Sequence, residues 1–313
     1  MTRRPDRPTR LLHVSDPHFG RERPEVVEGL LRLAHTLAPD VLLLSGDLTQ
    51  RARRAQFAAA RRFADAALAR SSGATGQPAG ALLAVPGNHD VPLFNLPARV
   101  AWPYTGFRAA FGPMLEPQWH DDELQLTTLN TTRRWRHIDG ELSPQQIDAV
   151  ASRLRSAAPG QLRVVACHHP LAVPRGGESK NLVKNHERAL RCWAEAGADV
   201  VLGGHIHLPC VLPMHELMPG LARPLWVVLA GTAVSTRTRH EAGNSVNVLS
   251  RVPAEGLLAG RRRCRVERWD WRAATRAFEP AVVHELACQP VAADAADAAD
   301  AANSSAAPAS RSN

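Results

Sequence analysis

Five short polar signatures mark the 313-residue chain: Asp16-Pro17-His18, Gly46-Asp47, Gly87-Asn88-His89-Asp90, His168-His169-Pro170 and Gly204-His205-Ile206-His207. Carboxylate, imidazole and amide groups with no thiolate among them suit borderline divalent ions such as Mn, Fe or Zn. Asp16, His18, Asp47, Asn88, His168, His205 and His207 together exceed what one catalytic ion uses. They fit two ions that share a carboxylate. Two such ions about 3.5–4 Å apart lower the pKa of a bridging water and clamp a phosphoryl group. Two dications outweigh two aspartates and a hydroxide, so the centre stays positive toward an anionic substrate. A neutral ligand such as Asn88 preserves that charge.

These residues need a scaffold that brings them together, and the apolar pattern supplies one. Each signature directly follows an apolar run: RLLHVS (10–15), VLLLS (41–45), ALLAV (81–85), LRVVAC (162–167) and DVVLGG (199–204). In open α/β sheets, ligands bind beyond the carboxyl ends of the strands. The five ends are therefore expected to converge on one rim of a sheet. Any one signature has an ordinary reading as a turn or a surface histidine. Five independent accidents at five strand ends are a poor explanation.

Helical patterns separate the runs. Val26, Leu30 and Ala34 recur at helical spacing within 24–38, and an Arg/Ala-rich amphipathic stretch fills 51–70. Ser143, Pro144 and Gln146 make a capping box ahead of a further helix, which follows a strand at 124–130. Another helix is expected near 181–196, stopped by Gly197. Strand-like pieces lie at 224–232, in SVNVLSR and in CRVERWDW. Strands alternating with helices indicate an α/β fold in layers.

In this order, D-x-H, G-D, G-N-H-D, H-x-P and G-H-x-H resemble the motifs of the calcineurin-like metallophosphoesterase superfamily. They lie between residues 16 and 207, and the recognisable region runs to about 250. The LNTT strand, the HIDGELSPQQ segment and HHPL look most like bacterial class III cyclic-nucleotide phosphodiesterases. The resemblance implies a four-layer α-β-β-α sandwich of two mixed sheets flanked by helices. It implies that Asp16, His18 and His207 hold one divalent ion, that Asn88, His168 and His205 hold a second, and that Asp47 bridges them. His89 would stabilise or protonate the leaving oxygen, and Asp90 would orient its neighbours. His169 is ambiguous, since the H-x-P spacing points to His168.

The implied activity is hydrolysis of a phosphodiester by a metal-bridging hydroxide, with a 3',5'-cyclic nucleotide as the leading substrate. The alternatives are a nuclease of the same superfamily and a non-catalytic scaffold that kept the fold. Arg237, Arg239 and His240 follow another apolar run, where an arginine could meet a phosphate or simply be solvated. Residues 91–119 hold much of the aromatic content and either cover the site or pack over the sheet edge.

The formal charge is +8, from 38 basic and 30 acidic residues, and only Lys180 and Lys184 are lysines. A positive field attracts phosphate. A nucleic-acid partner remains open, but the basic clusters at 51–70 and 260–268 lack interleaved aromatics. No apolar run of about 18 residues appears, and the basic N-terminus shows no cleavage signal. No membrane partner is expected. Five scattered cysteines without a CxxC pair point to a reducing cytoplasm. The expected organisation is a flexible basic arm (1–9), one domain (10–289) holding a loop at 71–80, and a disordered Ala/Asp/Ser-rich tail (290–313).

Overall fold

A computed structural model describes residues 7–69, 80–252 and 262–288. The tail expected at 290–313, most of the arm at 1–9 and all but one residue of the loop at 71–80 lie outside them. The elements in chain order are β1 (Arg10–Val14), α1 (Pro24–Leu37), β2 (Val41–Leu44), α2 (Arg54–Leu68), β3 (Ala81–Ala84), α3 (Leu96–Ala101), α4 (Thr105–Phe111), β4 (Gln118–His120), β5 (Leu124–Thr128) and α5 (Pro144–Arg155). There follow β6 (Leu162–Ala166), α6 (His186–Glu195), β7 (Val200–Gly203), β8 (Cys210–Pro213), α7 (Met214–Leu217), β9 (Trp226–Leu229), β10 (Ser245–Val252), β11 (Arg262–Arg272) and β12 (Ala277–Cys288).

The strands form two mixed sheets, ordered β12-β11-β10-β1-β2-β3 and β4-β5-β6-β7-β9-β8. Side chains alternate across each strand. Leu11, Val41 and Leu43 face Val164, Val200 and Leu202 in one apolar layer between the sheets. Leu12, Leu42 and Leu44 turn outward onto Leu30, Phe57 and Phe63 of α1 and α2. On the far side, Val165 and Val201 meet Ile147, Leu154 and Trp193 of α5 and α6. The result is the expected α-β-β-α sandwich.

Ser143 caps α5: its hydroxyl accepts from Gln146 N at 3.1 Å, and Gln146 Oε1 accepts from Ser143 N at 3.0 Å. Three details depart from the sequence reading. The polar rim is shared by two sheets, not one, because β1, β2 and β3 lie in the first and β6 and β7 in the second. The helix expected from 181 begins at His186, because Gly176–Asn181 turns as a 3-10 segment and Asn185 adopts a left-handed φ of 68°. β4, β8 and β12 carry too little apolar alternation to be read in advance. In the aromatic block, Phe107 of α4 is fully buried, 6.4 Å from Phe57 of α2, so that half packs over the sheet side. All five cysteines are free, and burial pushes the Cys167 thiol up to about 12. Among the described residues, no helix is long and apolar enough to cross a membrane.

Candidate metal centre

At the carboxyl ends of β1, β2 and β7 the chain turns through backbone conformations that side chains rarely adopt. Asp16, His18, Asp47, His205 and His207 have φ of 51°, 45°, 49°, 70° and 56°. Left-handed backbone costs a non-glycine residue roughly 1–2 kcal/mol. Such strain persists where surrounding contacts over-determine it, as at functional sites. Here Asp16 N donates to Gly46 O at 3.1 Å and His18 N to Asp47 O at 3.0 Å, locking the first two turns together. Asp16 Oδ2 accepts from Ser15 Oγ at 2.6 Å and from His205 N at 2.9 Å, joining the two sheets. Thr232 Oγ1 donates to Asp16 O at 2.6 Å. Gly46 is required: at φ 104°, a Cβ there would lie 2.5 Å from the His168 ring.

The donor atoms converge in two groups. In the first, Asp16 Oδ1 stands 3.2 Å from His207 Nε2 and 3.8 Å from His18 Nε2, and Asp47 Oδ2 stands 3.7 Å from His18 Nε2. In the second, His168 Nε2 lies 3.3 Å from each of Asp47 Oδ1, Asn88 Oδ1 and His205 Nδ1. Asp47 thus faces both groups through its two oxygens.

The far nitrogens set the tautomers. His207 Nδ1 donates to Arg237 O at 2.6 Å and His168 Nδ1 to Ser45 O at 3.0 Å. Each Nε2 is left facing the centre. His18 Nε2 then meets His207 Nε2 at only 3.1 Å, and Asp16 Oδ1 is buried with no hydrogen-bond partner. Converging acceptors and an orphaned carboxylate oxygen fit cations between them.

Among the protein groups, two histidines balance the two buried aspartates. Burial favours neutral His168, but the Asp47 charge and hydrogen bond outweigh it and raise its pKa to about 9. Burial likewise opposes, and Asp16 overcomes, protonation of His207, whose pKa is raised. Burial disfavours the Asp47 and Asp16 carboxylates, yet His168 holds the first, and His207 the second, below the usual range. Burial keeps His18 neutral, down to about 3, and His205 down to about 4.

His89 differs from the ligand candidates. Its Nδ1 donates to Gln50 O at 2.9 Å, and its partly exposed Nε2 sits 3.0 Å from Arg237 Nη1 and 3.9 Å from Asp47 Oδ2. Asp90 faces away from the centre. Its Oδ1 accepts from Thr49 N and Oγ1 at 2.8 and 2.9 Å, and its Oδ2 from Leu48 N and Gly87 N at 3.0 and 2.9 Å. It ties the turn after β3 to the turn after β2. His169 lies near His168 and His205, but both its ring nitrogens are engaged, with Thr131 Oγ1 at 2.7 Å and Ile138 O at 2.8 Å.

Over the centre opens a cavity of about 570 Å³, lined by Asn88, His89, Ile138, Ile206, Lys180 and Arg237 among others. The two arginines part ways there. Arg237 reaches over the centre to His89 and His18. Arg239 is held at the wall by Ile206 O at 2.8 Å and by Glu178 at 2.5 Å. Glu178, Lys180 and Asn181 were not anticipated, and only the Gly176-Gly177 turn ahead of them hints at a loop.

Residues 9–209 match the calcineurin-like phosphoesterase family. The chain belongs to that family. Its members typically bind two divalent metal ions, and the Asp/His clusters here are within reach of such ions. The sandwich is similar to that of purple acid phosphatase PPD1 from yellow lupin (TM-score 0.64, 11% identity), covering 92% of this chain and 55% of the lupin chain. The chain thus spans about half of the lupin phosphatase. It is also similar to a dimetal phosphatase from Danio rerio (TM-score 0.59, 12% identity), covering 90% of this chain and all of the other. At such identities the likeness is one of fold. Among curated proteins, none matches the chain.

Proposed function

We propose that the protein is a phosphodiesterase that uses two divalent ions, Mn, Fe or Zn, and acts on small phosphodiesters, with 3',5'-cyclic nucleotides as the leading class. The observation that carries this reading is the convergence of oxygen and nitrogen donor atoms from seven side chains beneath an open cavity bordered by Lys180 and Arg237. Asp16, His18, His207 and Asp47 would hold one ion; Asn88, His168, His205 and Asp47 would hold the other. When bound, such ions polarise phosphoryl oxygens and acidify water.

The chain's own residues supply the rest. Arg237 presents a guanidinium at the cavity floor, suited to a non-bridging phosphate oxygen. His89, oriented by the Gln50 carbonyl, turns Nε2 toward the cavity and accepts there from Arg237; with Arg237 on the phosphate, a proton on that nitrogen can pass to a departing alkoxide. A cavity of about 570 Å³ matches a small-molecule site, with Ile138 and Ile206 offering apolar walls. The filled ligand positions support catalysis over the scaffold alternative.

Hydrolysis of bis-p-nitrophenyl phosphate against p-nitrophenyl phosphate tests the proposal, using metal-stripped, Mn-reloaded and Asp47→Ala protein. Metal-dependent diester cleavage lost in Asp47→Ala supports it and leads to a screen of cyclic nucleotides. Preference for the monoester makes the protein a phosphatase instead. Folded protein inactive with every metal returns the scaffold reading.

A further inference from the structure

Large apolar side chains stand in solvent beside the cavity mouth. Phe94 and Trp102, flanking α3, are 77% and 68% exposed, and Trp135 on the facing loop is 69% exposed. Leu96, Val100 and Ile138 are exposed with them. Hydrogen bonds hold the two segments together. Buried Arg99 donates to Arg134 O at 2.8 Å, to Pro92 O at 3.1 Å and to Arg136 O, and Arg134 donates back to Val100 O at 2.6 Å. The apolar groups are thus displayed from a stitched platform.

This platform borders the site. Ile138 lines the cavity, and its carbonyl accepts from His169. Arg51 lies 4.9 Å over the Phe94 ring, next in sequence to Gln50, which holds His89. The surface is cationic. No Asp or Glu occurs from Val91 to Leu115, and on the facing loop the exposed Asp139 is outweighed by the exposed Arg134 together with Arg51 beside Phe94.

We infer that this face docks on an anionic lipid bilayer and seats the cavity mouth at the headgroup surface. Protruding Trp and Phe with aliphatic neighbours enter the headgroup boundary, and arginine stems lie along it while their charges meet anionic lipid. A second copy of the chain would set like charges against each other. A nucleic acid would stack on the aromatics but leave Leu96, Val100 and Ile138 without a matching surface. Peripheral docking needs no spanning helix, so the expectation of no membrane partner, drawn from the lack of an apolar run, does not bear on this face. The inference does not depend on which phosphoester is cleaved.

Flotation of the full chain with phosphatidylcholine vesicles, and with vesicles holding about one third phosphatidylglycerol, tests it. Wild type should bind the anionic vesicles at least ~10-fold more tightly. A Phe94→Ser, Trp102→Ser, Trp135→Ser variant with unchanged circular dichroism and melting should lose roughly 10-fold or more. Brominated lipid should quench wild-type tryptophan fluorescence more than that of the variant. Folded wild type that does not float overturns the inference. So does a variant that floats as well as wild type, which would place lipid binding elsewhere. Binding to a single-stranded oligonucleotide that needs the same three side chains, without vesicle binding, would assign the face to nucleic acid.

Discussion

Asp90 gives the sharpest test of how the centre is held. Its two oxygens accept four hydrogen bonds from Thr49, Leu48 and Gly87, at 2.8–3.0 Å, and its side chain is buried. Asp90→Asn keeps the shape and one acceptor. If the amide oxygen stays on Thr49, the amide nitrogen must face the N–H groups of Leu48 and Gly87, donor against donor. Each buried N–H that loses its acceptor costs about 1–3 kcal/mol, so the pair costs about 4 kcal/mol; burial and the Asp47 charge push the Asp90 carboxyl up to about 6, and removing its charge returns part of this, leaving a net loss of about 2 kcal/mol. A domain of this size has only about 5–15 kcal/mol in hand. In metal-free protein the variant should melt about 5 °C lower. Asn88 and His89 sit on the turn that Asp90 anchors, so diesterase activity should fall as well. Urea denaturation and steady-state hydrolysis of bis-p-nitrophenyl phosphate measure both effects. A stability loss under about 1 kcal/mol would refute the reasoning, because those N–H groups would then have another partner or water.

Three further outcomes are expected. His168, raised to about 9 by Asp47 against burial, must lose a proton when it binds an ion. Metal affinity should therefore rise up to about 10-fold per pH unit below pH 9, with proton release seen by calorimetry in buffers of different ionisation enthalpy; pH-independent affinity would contradict this. Arg237→Ala should lower kcat/KM for a diester roughly 10- to 100-fold, the value of one charge-assisted hydrogen bond, with metal content unchanged; unaltered kinetics would remove Arg237 from the substrate's path. His13, bonded to Ser45 Oγ at 2.8 Å, is pushed down to about 4 by burial, against the pull of Asp16. The unfolded chain binds that proton below its ordinary value of 6.5, so His13 contributes stability that is full above pH 6.5 and is lost as pH falls toward 4. Wild type should lose about 3 kcal/mol more than His13→Leu across that window in urea melts of metal-free protein.

The chain order of the centre was legible because it is local. Each apolar run is as long as a buried strand, and each ends in residues that turn the chain and carry donor atoms. The capping box at Ser143 and the stop at Gly197 were legible for the same reason. Both depend on residues a few positions apart.

What the sequence determined by itself is the chemistry on offer: which side chains stand at strand ends, in which order, with which charge. The tertiary structure alone decided how they meet. Asp16 joins the sheets by accepting from His205 N, 189 positions away. His168 and His207 are oriented by the carbonyls of Ser45 and Arg237, and a carbonyl leaves no trace in residue identity. Arg237 and Arg239, two residues apart, face different partners, because Glu178 and Ile206 capture only one of them. The apolar side chains flanking α3 stand exposed, while Phe107 in the same block is buried against Phe57. Composition does not distinguish them; only the packed neighbour does.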